Sequence, residues 1–446
     1  MGNTLRAPDP KQDELVVDKL GESLFDSPIQ FRRFTQDDDT IVYHSKTHDL
    51  EGEFNTDTVL KMEKAGPREK NYFDPKYTSA AIVTCGGLCP GLNNVIKSLV
   101  QQLAHEYRVK RIYGIQYGYE GLNPDYGHAL LPLTPDDVRS IHHIGGTMLG
   151  SSRGHQDPSV MVDTLVRHRI NILFTIGGDG TLRGASAIAN EIAKRKLDIA
   201  VIGLPKTIDN DLNFVGQTFG FESAVYAAGP VISQAQVEAQ GAYNGIGLVK
   251  LMGRDSGFIA AHASIANSSV SICLIPEQPF DLEGPTGLYA AIERRLKSGR
   301  HHMVIVVAEG AGQEFFKDFK EEKDASGNIL KRDIGEFLQV GIKEYFKNKD
   351  IPCALKYFDP SYQIRSIPAR GTDAIFCTML AENAVHAAMS GRTNLVVGKW
   401  NRHFVYVPIP LATRERQRID NMGSLWKAVL FTTRQDDYFY EGQGDD

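Results

Sequence analysis

Phe174-Thr-Ile-Gly-Gly-Asp-Gly-Thr181 is the stretch from which the fold is read. The apolar run Ile172 to Ile176 ends in two glycines, an aspartate, a third glycine and a threonine, and a helix-capable run from Ala185 to Ala193 follows. An unbroken apolar run that stops at glycines reads as a buried parallel strand turning sharply into a helix. Glycines let a backbone approach a ligand closely, and the unpaired N–H groups of a helix N-terminus favour an anion. Asp179 stands where a carboxylate would serve a metal–phosphate complex. The same residues suit a plain glycine-rich turn capped by Thr181, so the stretch alone leaves both readings open.

Outward from this point the same grammar repeats. Upstream, Ala80 to Thr84 runs into Cys85-Gly-Gly-Leu-Cys-Pro-Gly-Leu92 and a helical run to about His105, and Arg111 to Tyr117 reads as another strand. Downstream, Ile199 to Leu204 ends in Pro205-Lys-Thr-Ile-Asp-Asn-Asp211. A second series follows: Ile246 to Met252 into Gly253-Arg-Asp-Ser-Gly257, then Ser271 to Ile275, Met303 to Ala308 and Leu395 to Val397. Strands alternating with helices predict parallel sheets covered by helices, and two doubly wound Rossmann-like α/β domains account for both series. Residues 311–333 are charged, contain Ser326-Gly-Asn328, and read as a surface insertion. Residues 1–75 are polar, broken by Pro8, Pro10, Pro28 and Pro67, and without sustained periodicity; they read as an N-terminal extension wrapping the core or a partner subunit, disordered in part.

Composition excludes several classes. A chain of 446 residues with 42% hydrophobic content can bury sizeable cores. Its 55 acidic against 49 basic residues, a net charge of −6, argue against nucleic-acid or anionic-membrane binding. No apolar stretch approaches the roughly 20 residues that span a bilayer, and no signal pattern opens the chain, so a soluble cytoplasmic protein is expected. Arg6 stands where a myristoylated N-terminus would want Ser or Thr. The 5 cysteines are too scattered for a disulfide framework, and Cys85 and Cys89 lack the second pair a zinc site needs. The adjacent pairs His142-His143 and His301-His302 do not share a face as metal ligands would, and read as surface or packing residues. Trp400 and Trp426 read as core or interface anchors. The basic run Arg414 to Arg418 reads as a solvated helix face, with a nucleotide or effector contact as the alternative.

In open α/β sheets ligands bind beyond the carboxyl ends of the strands. Those positions here carry Gly86-Gly87, Gly177 to Gly180, Lys206 to Asp211, Gly253 to Asp255 and Glu309-Gly310. A joint phosphate-binding cleft explains them better than separate turns. No Walker loop and no dinucleotide fingerprint is present. Thr207, Asp209 and Asp211 alternate, so an extended segment would point all three to one face, suiting base catalysis on a hydroxyl beside a phosphate. The plainer alternative is an Asx-rich turn with solvated acids.

Taken in order, Gly86-Gly-Leu-Cys-Pro-Gly-Leu-Asn93, Gly145-Gly-Thr-Met-Leu-Gly-Ser-Ser-Arg153, Gly177-Gly-Asp-Gly-Thr181, Pro205 to Asp211, Gly220-Phe-Glu222, Met252-Gly-Arg254, Ala308-Glu-Gly310 and Ser361-Tyr-Gln-Ile-Arg365 resemble the 6-phosphofructokinase family. The resemblance runs from about residue 79 to about residue 411. The extension and Lys206 are most similar to the longer-chain branch of plants, trypanosomatids and some bacteria, which stands close to pyrophosphate-dependent enzymes. It implies phosphoryl transfer from Mg-ATP to the 1-hydroxyl of fructose 6-phosphate, by a cytoplasmic, allosteric homotetramer. It implies a donor domain at 76–212 completed by part of 385–446, and a fructose 6-phosphate domain at 213–384.

By the same resemblance Asp209 is the base, with Thr207 and Asp211 aligning the hydroxyl, and Asp179 helps to hold Mg²⁺. Gly87, Arg153, Gly178, Gly180 and Thr181 line the donor side, while Lys206 and Arg254 stabilise the moving phosphoryl group. Met252, Gly253, Glu309, Lys356, Tyr362 and Arg365 hold the sugar phosphate. An ordinary aspartate, with a pKa near ~3.9, suffices as base if the hydroxyl proton becomes acidic late in the transfer. In the family a glycine at position 180 leaves room for the α-phosphate of ATP, whereas Lys206 is a feature of pyrophosphate users; an aspartate would be a barrier and a lysine only an added contact, so ATP is the expected donor. A pyrophosphate-dependent enzyme and a non-catalytic regulatory subunit are the alternatives. Gly245 replaces an arginine with which the short bacterial enzymes reach a neighbour's sugar phosphate, so contacts between subunits and allosteric control are expected to differ.

Overall fold

The apolar runs become strands that are buried on both faces, and their register brings the glycine turns together. The computed structural model describes residues 9–30, 33–44, 59–317, 322 and 329–435. Strands β1 (Thr40–Val42), β2 (Lys61–Lys64), β3 (Ser79–Thr84), β4 (Arg111–Ile115), β5 (Leu131–Pro132), β6 (Ile172–Gly177) and β7 (Ala200–Pro205) enter a nine-stranded sheet, with helices α1 (Leu92–Gln101), α2 (Pro158–Arg167) and α3 (Asp179–Lys194) between them. Helix α4 (Phe221–Gln240) then leads into a four-stranded, all-parallel sheet of β8 (Gly245–Leu251), β9 (Val270–Leu274), β10 (His302–Ala308) and β11 (Ala354–Phe358), with α5 (Phe258–Ala266), α6 (Leu288–Lys297) and α7 (Ile334–Asn348) as its connections. The chain returns through α8 (Gly371–Met389) to β12 (Leu395–Trp400) and β13 (His403–Pro408), and ends in α9 (Ser424–Thr433), packed on α5.

The larger sheet has the order β1-β2-β13-β12-β7-β6-β3-β4-β5. Its five middle strands are parallel and the outer ones antiparallel. All six residues of β6 are buried, as a continuous Ile-Leu-Phe-Thr-Ile-Gly run at the centre of a covered parallel sheet should be. Helix α3 buries Leu182, Ala185, Ile188, Ala189 and Ile192, the three-and-four spacing of a helix lying on a sheet. Ile176 pairs with Thr84 and Gly177 with Pro205, so the turns after β3, β6 and β7 emerge side by side. In the smaller sheet Leu251 pairs with Ala308, which aligns the turns after β8 and β10.

The chain crosses between the sheets three times: from β7 to α4, from β11 to α8, and from β13 to α9. Leu395 to Val397, read from sequence with the second strand series, falls in β12, which joins the larger sheet beside β7. The N-terminal extension also contributes strands where no periodicity was seen. β1 and β2 extend the sheet edge through β13, and Asp18–Lys19 pairs antiparallel with Arg392–Thr393. Elements of two to four residues are too short for alternation to register, and they are held by tertiary contacts: buried Arg392 meets Glu63 at 2.5 Å and Asp37 at 2.7 Å, and buried Arg68 meets the same two acids. The insertion motif Ser326-Gly-Asn328 lies outside the described residues. At Gly245, a Cβ would stand 2.0 Å from the Ala239 carbonyl oxygen at the end of α4, so the backbone itself demands glycine there.

Candidate active site

The aligned turns of both sheets open on a cleft of about 610 Å³. Among the expected site residues, Gly87, Arg153, Gly178, Asp179, Gly180, Thr181, Lys206, Thr207, Asp209, Asp211, Met252, Arg254 and Arg365 line it. Gly253, Glu309, Lys356 and Tyr362 do not, and Tyr362 is 75% exposed.

One end of the cleft is built from backbone. Helix α3 starts at Asp179 with Gly178 as N-cap and no side chain closing its first amides. Such an end carries a partial positive charge and free donors, which suits a phosphate. A Cβ at Gly180 would meet nothing within 4 Å, whereas Gly177 is packed against Thr181 so closely that a Cβ would lie 2.1 Å from its hydroxyl. The glycine at 177 is required by packing; that at 180 leaves open space in the cleft. Next to this end, cations converge on Gly87. Lys206 Nζ donates to the Gly87 carbonyl at 2.6 Å, and a Cβ at Gly87 would stand 3.3 Å from both Arg153 Nη2 and Arg365 Nη1. Burial lowers the Lys206 pKa.

The turn after β7 is not extended, so the alternation argument for its acids fails. Thr207 Oγ1 instead accepts from the Asp209 N–H at 3.0 Å, and Asn210 takes a left-handed φ of 53° while its side chain accepts from Thr218 N at 2.9 Å. Short polar side chains that fold the backbone onto themselves win here over strand geometry. The tight turn still sets Asp209 and Asp211 in one cleft, and both are buried. Arg254 Nε stands 3.8 Å from Asp209 Oδ2. Arg254 has φ 51°, strained for a side chain of its size, and the loop is held by Glu309, whose carboxylate accepts from Arg254 N at 2.8 Å and Gly253 N at 3.3 Å. Glu309 therefore shapes the Gly253–Arg254 turn from behind.

Asp209 is not an ordinary aspartate. Burial pushes its carboxyl up to about 7, with the charges of Asp211 and Glu309 adding and those of Arg254 and Arg416 opposing. Burial also raises Asp211. An ordinary carboxyl would suffice as base, but the turn encloses both acids and supplies a raised one, a packing property that composition does not carry.

Arg416 is the residue most clearly misread from sequence. The segment Arg414–Arg418 is no helix; its Arg-Glu-Arg-Gln-Arg alternation has the period of an extended chain, and that was the available signal. Arg416 enters the cleft, with Nη2 3.7 Å from Asp179 Oδ2, Nε 3.7 Å from Asp211 Oδ2 and Nη1 3.4 Å from Asp255 Oδ2. Asp179 meets Arg183 Nε as well, at 3.1 Å. Arg365, expected on the sugar phosphate, stands over the Gly87 loop.

Comparison with known proteins places this site in context. Residues 79–388 match the family model described as phosphofructokinase. An ATP-dependent 6-phosphofructokinase of Borreliella burgdorferi is 49% identical over 95% of this chain and 97% of that protein. ATP-dependent 6-phosphofructokinase 7 of Arabidopsis thaliana is 47% identical over 84% of this chain and 77% of that protein, and an ATP-dependent 6-phosphofructokinase of Trypanosoma brucei brucei is 44% identical over 94% and 87%. Among solved structures, a pyrophosphate-dependent phosphofructokinase from Marinobacter aquaeolei superimposes with a TM-score of 0.65 at 18% identity, over 80% of this chain and 91% of that one. At that identity the likeness is one of fold.

Proposed function

The chain belongs to the phosphofructokinase family, and from that premise we propose that it transfers the γ-phosphoryl group of ATP to the 1-hydroxyl of fructose 6-phosphate, giving fructose 1,6-bisphosphate and ADP. The observation that carries this reading is buried Asp209, 3.8 Å from Arg254, in one cleft with the Gly87 and Gly178–Thr181 turns. Asp209 takes the proton of the attacking hydroxyl, helped by a pKa raised toward neutrality. Thr207 holds the Asp209 backbone, and Asp211 sits beside it to align the sugar. Lys206, Arg153 and Arg254 neutralise the phosphoryl oxygens in transit, since phosphoryl transfer is promoted chiefly by alignment and charge stabilisation. Arg365, at the Gly87 loop, lies where donor and sugar phosphate would meet. The open space over Gly180 supports ATP over pyrophosphate, because the cleft has room beyond the transferring group.

Magnesium would be held by Asp179 together with the donor's phosphates. Among the described residues no group of three or more His, Cys, Asp or Glu gathers into a metal cage, but magnesium commonly uses one or two carboxylates and completes its shell with phosphates and water, so a single well-placed carboxylate fits. There the ion would draw negative charge from the β- and γ-phosphate oxygens.

Met252 and the Gly253–Arg254 turn, shaped by Glu309, form the sugar-phosphate side. Lys356 and Tyr362 stand exposed outside the cleft; their position supports a site completed by a second subunit, and we take the working form to be a homotetramer under effector control in the cytoplasm. No described helix is long and apolar enough to cross a membrane. The test is a coupled assay for fructose 1,6-bisphosphate, offering ATP or pyrophosphate separately with Mg²⁺. Turnover with ATP is expected; turnover with pyrophosphate alone overturns the donor assignment, and none with either overturns the activity.

A further inference from the structure

Three carboxylates from three separate turns meet one guanidinium in this cleft. Asp179 opens α3, Asp211 follows β7 and Asp255 follows β8, so the first two belong to the larger sheet and the third to the smaller. Arg416 lies within 3.7 Å of all of them. Arg416 Nη1 donates a long hydrogen bond of 3.4 Å to Asp255, while its 3.7 Å contacts with Asp179 and Asp211 are electrostatic.

The segment that carries Arg416 is fastened independently at several points. Arg183 Nη2 donates to the Thr413 carbonyl at 2.9 Å, Gln417 N donates to the Asp211 carbonyl at 2.7 Å, and Arg416 forms a bridge with Leu212. Further on, Ile419 N donates to buried Glu277, which also accepts from Gly257 N at the start of α5, each at 3.0 Å. Arg414 pairs with Glu14, so the N-terminal extension touches the same segment. The third crossing is thus stitched first to the larger sheet and then to the smaller, with Arg416 between the two attachments.

We propose that Arg416 is a positioning residue for phosphoryl transfer: it is the internal counter-ion that keeps Asp179 and Asp211 close together and holds the smaller sheet's wall to them through Asp255. Arg183 also pairs with Asp179 and Lys331 with Asp255, each holding one acid, whereas Arg416 is shared by all three; without that shared cation the acids repel one another across a low-dielectric gap, and the turns that carry Asp211 and Asp255 spread. A flexible loop charge would not serve; one fixed on a stitched segment does.

This inference rests on the functional reading above, and its test separates the two. Amide hydrogen exchange on the intact, nucleotide-free protein needs no turnover. Arg416→Ala is expected to lower protection at 209–212 and 253–257 while α1 and β6 keep theirs. In the assay, the same variant loses kcat by about tenfold or more, with the KM for fructose 6-phosphate within about threefold, and Arg416→Lys recovers most of the loss. The pair with Asp255 is isolated by a double-mutant cycle with Asp255→Asn, in which the two effects on kcat are expected to be less than additive. Unchanged exchange together with a kcat within twofold overturns the proposal, as does equal loss in the Ala and Lys variants. Strict additivity overturns its cross-wall part. If the Ala variant does not fold, Arg416→Gln and Asp255→Asn carry the test, and normal kcat in both overturns it. A wild type inactive with ATP and fructose 6-phosphate sinks the functional reading but leaves the exchange result to judge Arg416.

Discussion

Two kinds of segment build the cleft, and they contribute different chemistry. The turns after β3, β6 and β8 stay within one sheet and offer mainly backbone: Gly87, the uncapped start of α3 at Gly178, and the Gly253 turn with φ 148°. The three crossings between sheets offer charged side chains: Lys206, Asp209 and Asp211 on the first, Arg365 on the second and Arg416 on the third. The crossings are also tied together. Asp373, buried in the first turn of α8, accepts from Gly220 N at 2.9 Å where the first crossing ends, and Gln417 N binds Asp211. On the proposed roles, the base Asp209, with Lys206 and Arg416, sits on crossings where both walls can control it, while the sheet-bound turns supply mainly backbone for ligands, with Asp179 and Arg254 as their charged exceptions.

The comparison predicts that damage to a crossing is read in rate and damage to a turn in affinity. The largest effect is expected for Asp209→Ser: kcat should fall by about 10²–10⁴-fold, the range of a lost general base, with fructose 6-phosphate binding kept within a few-fold by equilibrium titration. Near-normal turnover would remove Asp209 as the base. Next comes a pair of glycine substitutions. Gly180→Asp meets open space, so its melting temperature should match wild type while the KM for ATP rises about tenfold or more and that for fructose 6-phosphate holds. Gly310→Ala would set a Cβ 1.8 Å from the Arg254 carbonyl and displace that turn, so the KM for fructose 6-phosphate should suffer more than that for ATP. Parallel losses of both substrates in both variants would erase the distinction between the walls.

The smallest effect is one of pH. Asp209 must be ionised to act, and its carboxyl is pushed up to about 7, so kcat/KM should rise with pH through that value and fall about tenfold per unit below it. Stability should run the other way. Between about 4 and about 7 the native state retains a proton that the unfolded chain has lost, so this carboxyl costs stability as pH rises through that window. Asp209→Asn is therefore expected to melt higher than wild type at pH 8, by a few degrees, with the gap closing as pH falls below 4. An acid limb near 4 would show that the enclosed carboxyl titrates as a solvated one.

The same division explains what could be read from sequence. The α/β fold and the sheet-bound turns were legible because an apolar run followed by glycine is a local signal, and β6 with Gly177 to Thr181 needs no distant information. The acids of the first crossing were legible as types but not as geometry: Thr207 and Asn210 fold the turn through their own side chains, and only the closed turn reveals how burial shifts Asp209. For Arg416 the helix reading failed, and neither its place in the cleft nor that of Arg365 at the Gly87 loop could be read, because nothing adjacent to them specifies a partner; their positions depend on where two sheets lie. The edge strands of the N-terminal extension were missed for a related reason, since buried Arg392 orders them from the far end of the chain.

The order in which strands join has a consequence for synthesis. The smaller sheet is contiguous, running from Gly245 to Phe358, so every strand it needs has been made before α8 begins. The larger sheet must wait: among the described residues β2 pairs only with β1 and β13, and β13 ends at Pro408, more than three hundred residues after β2. A growing chain therefore carries exposed, unpaired strand edges until β13 is synthesised, and closure of that sheet is the slow, long-range step of folding.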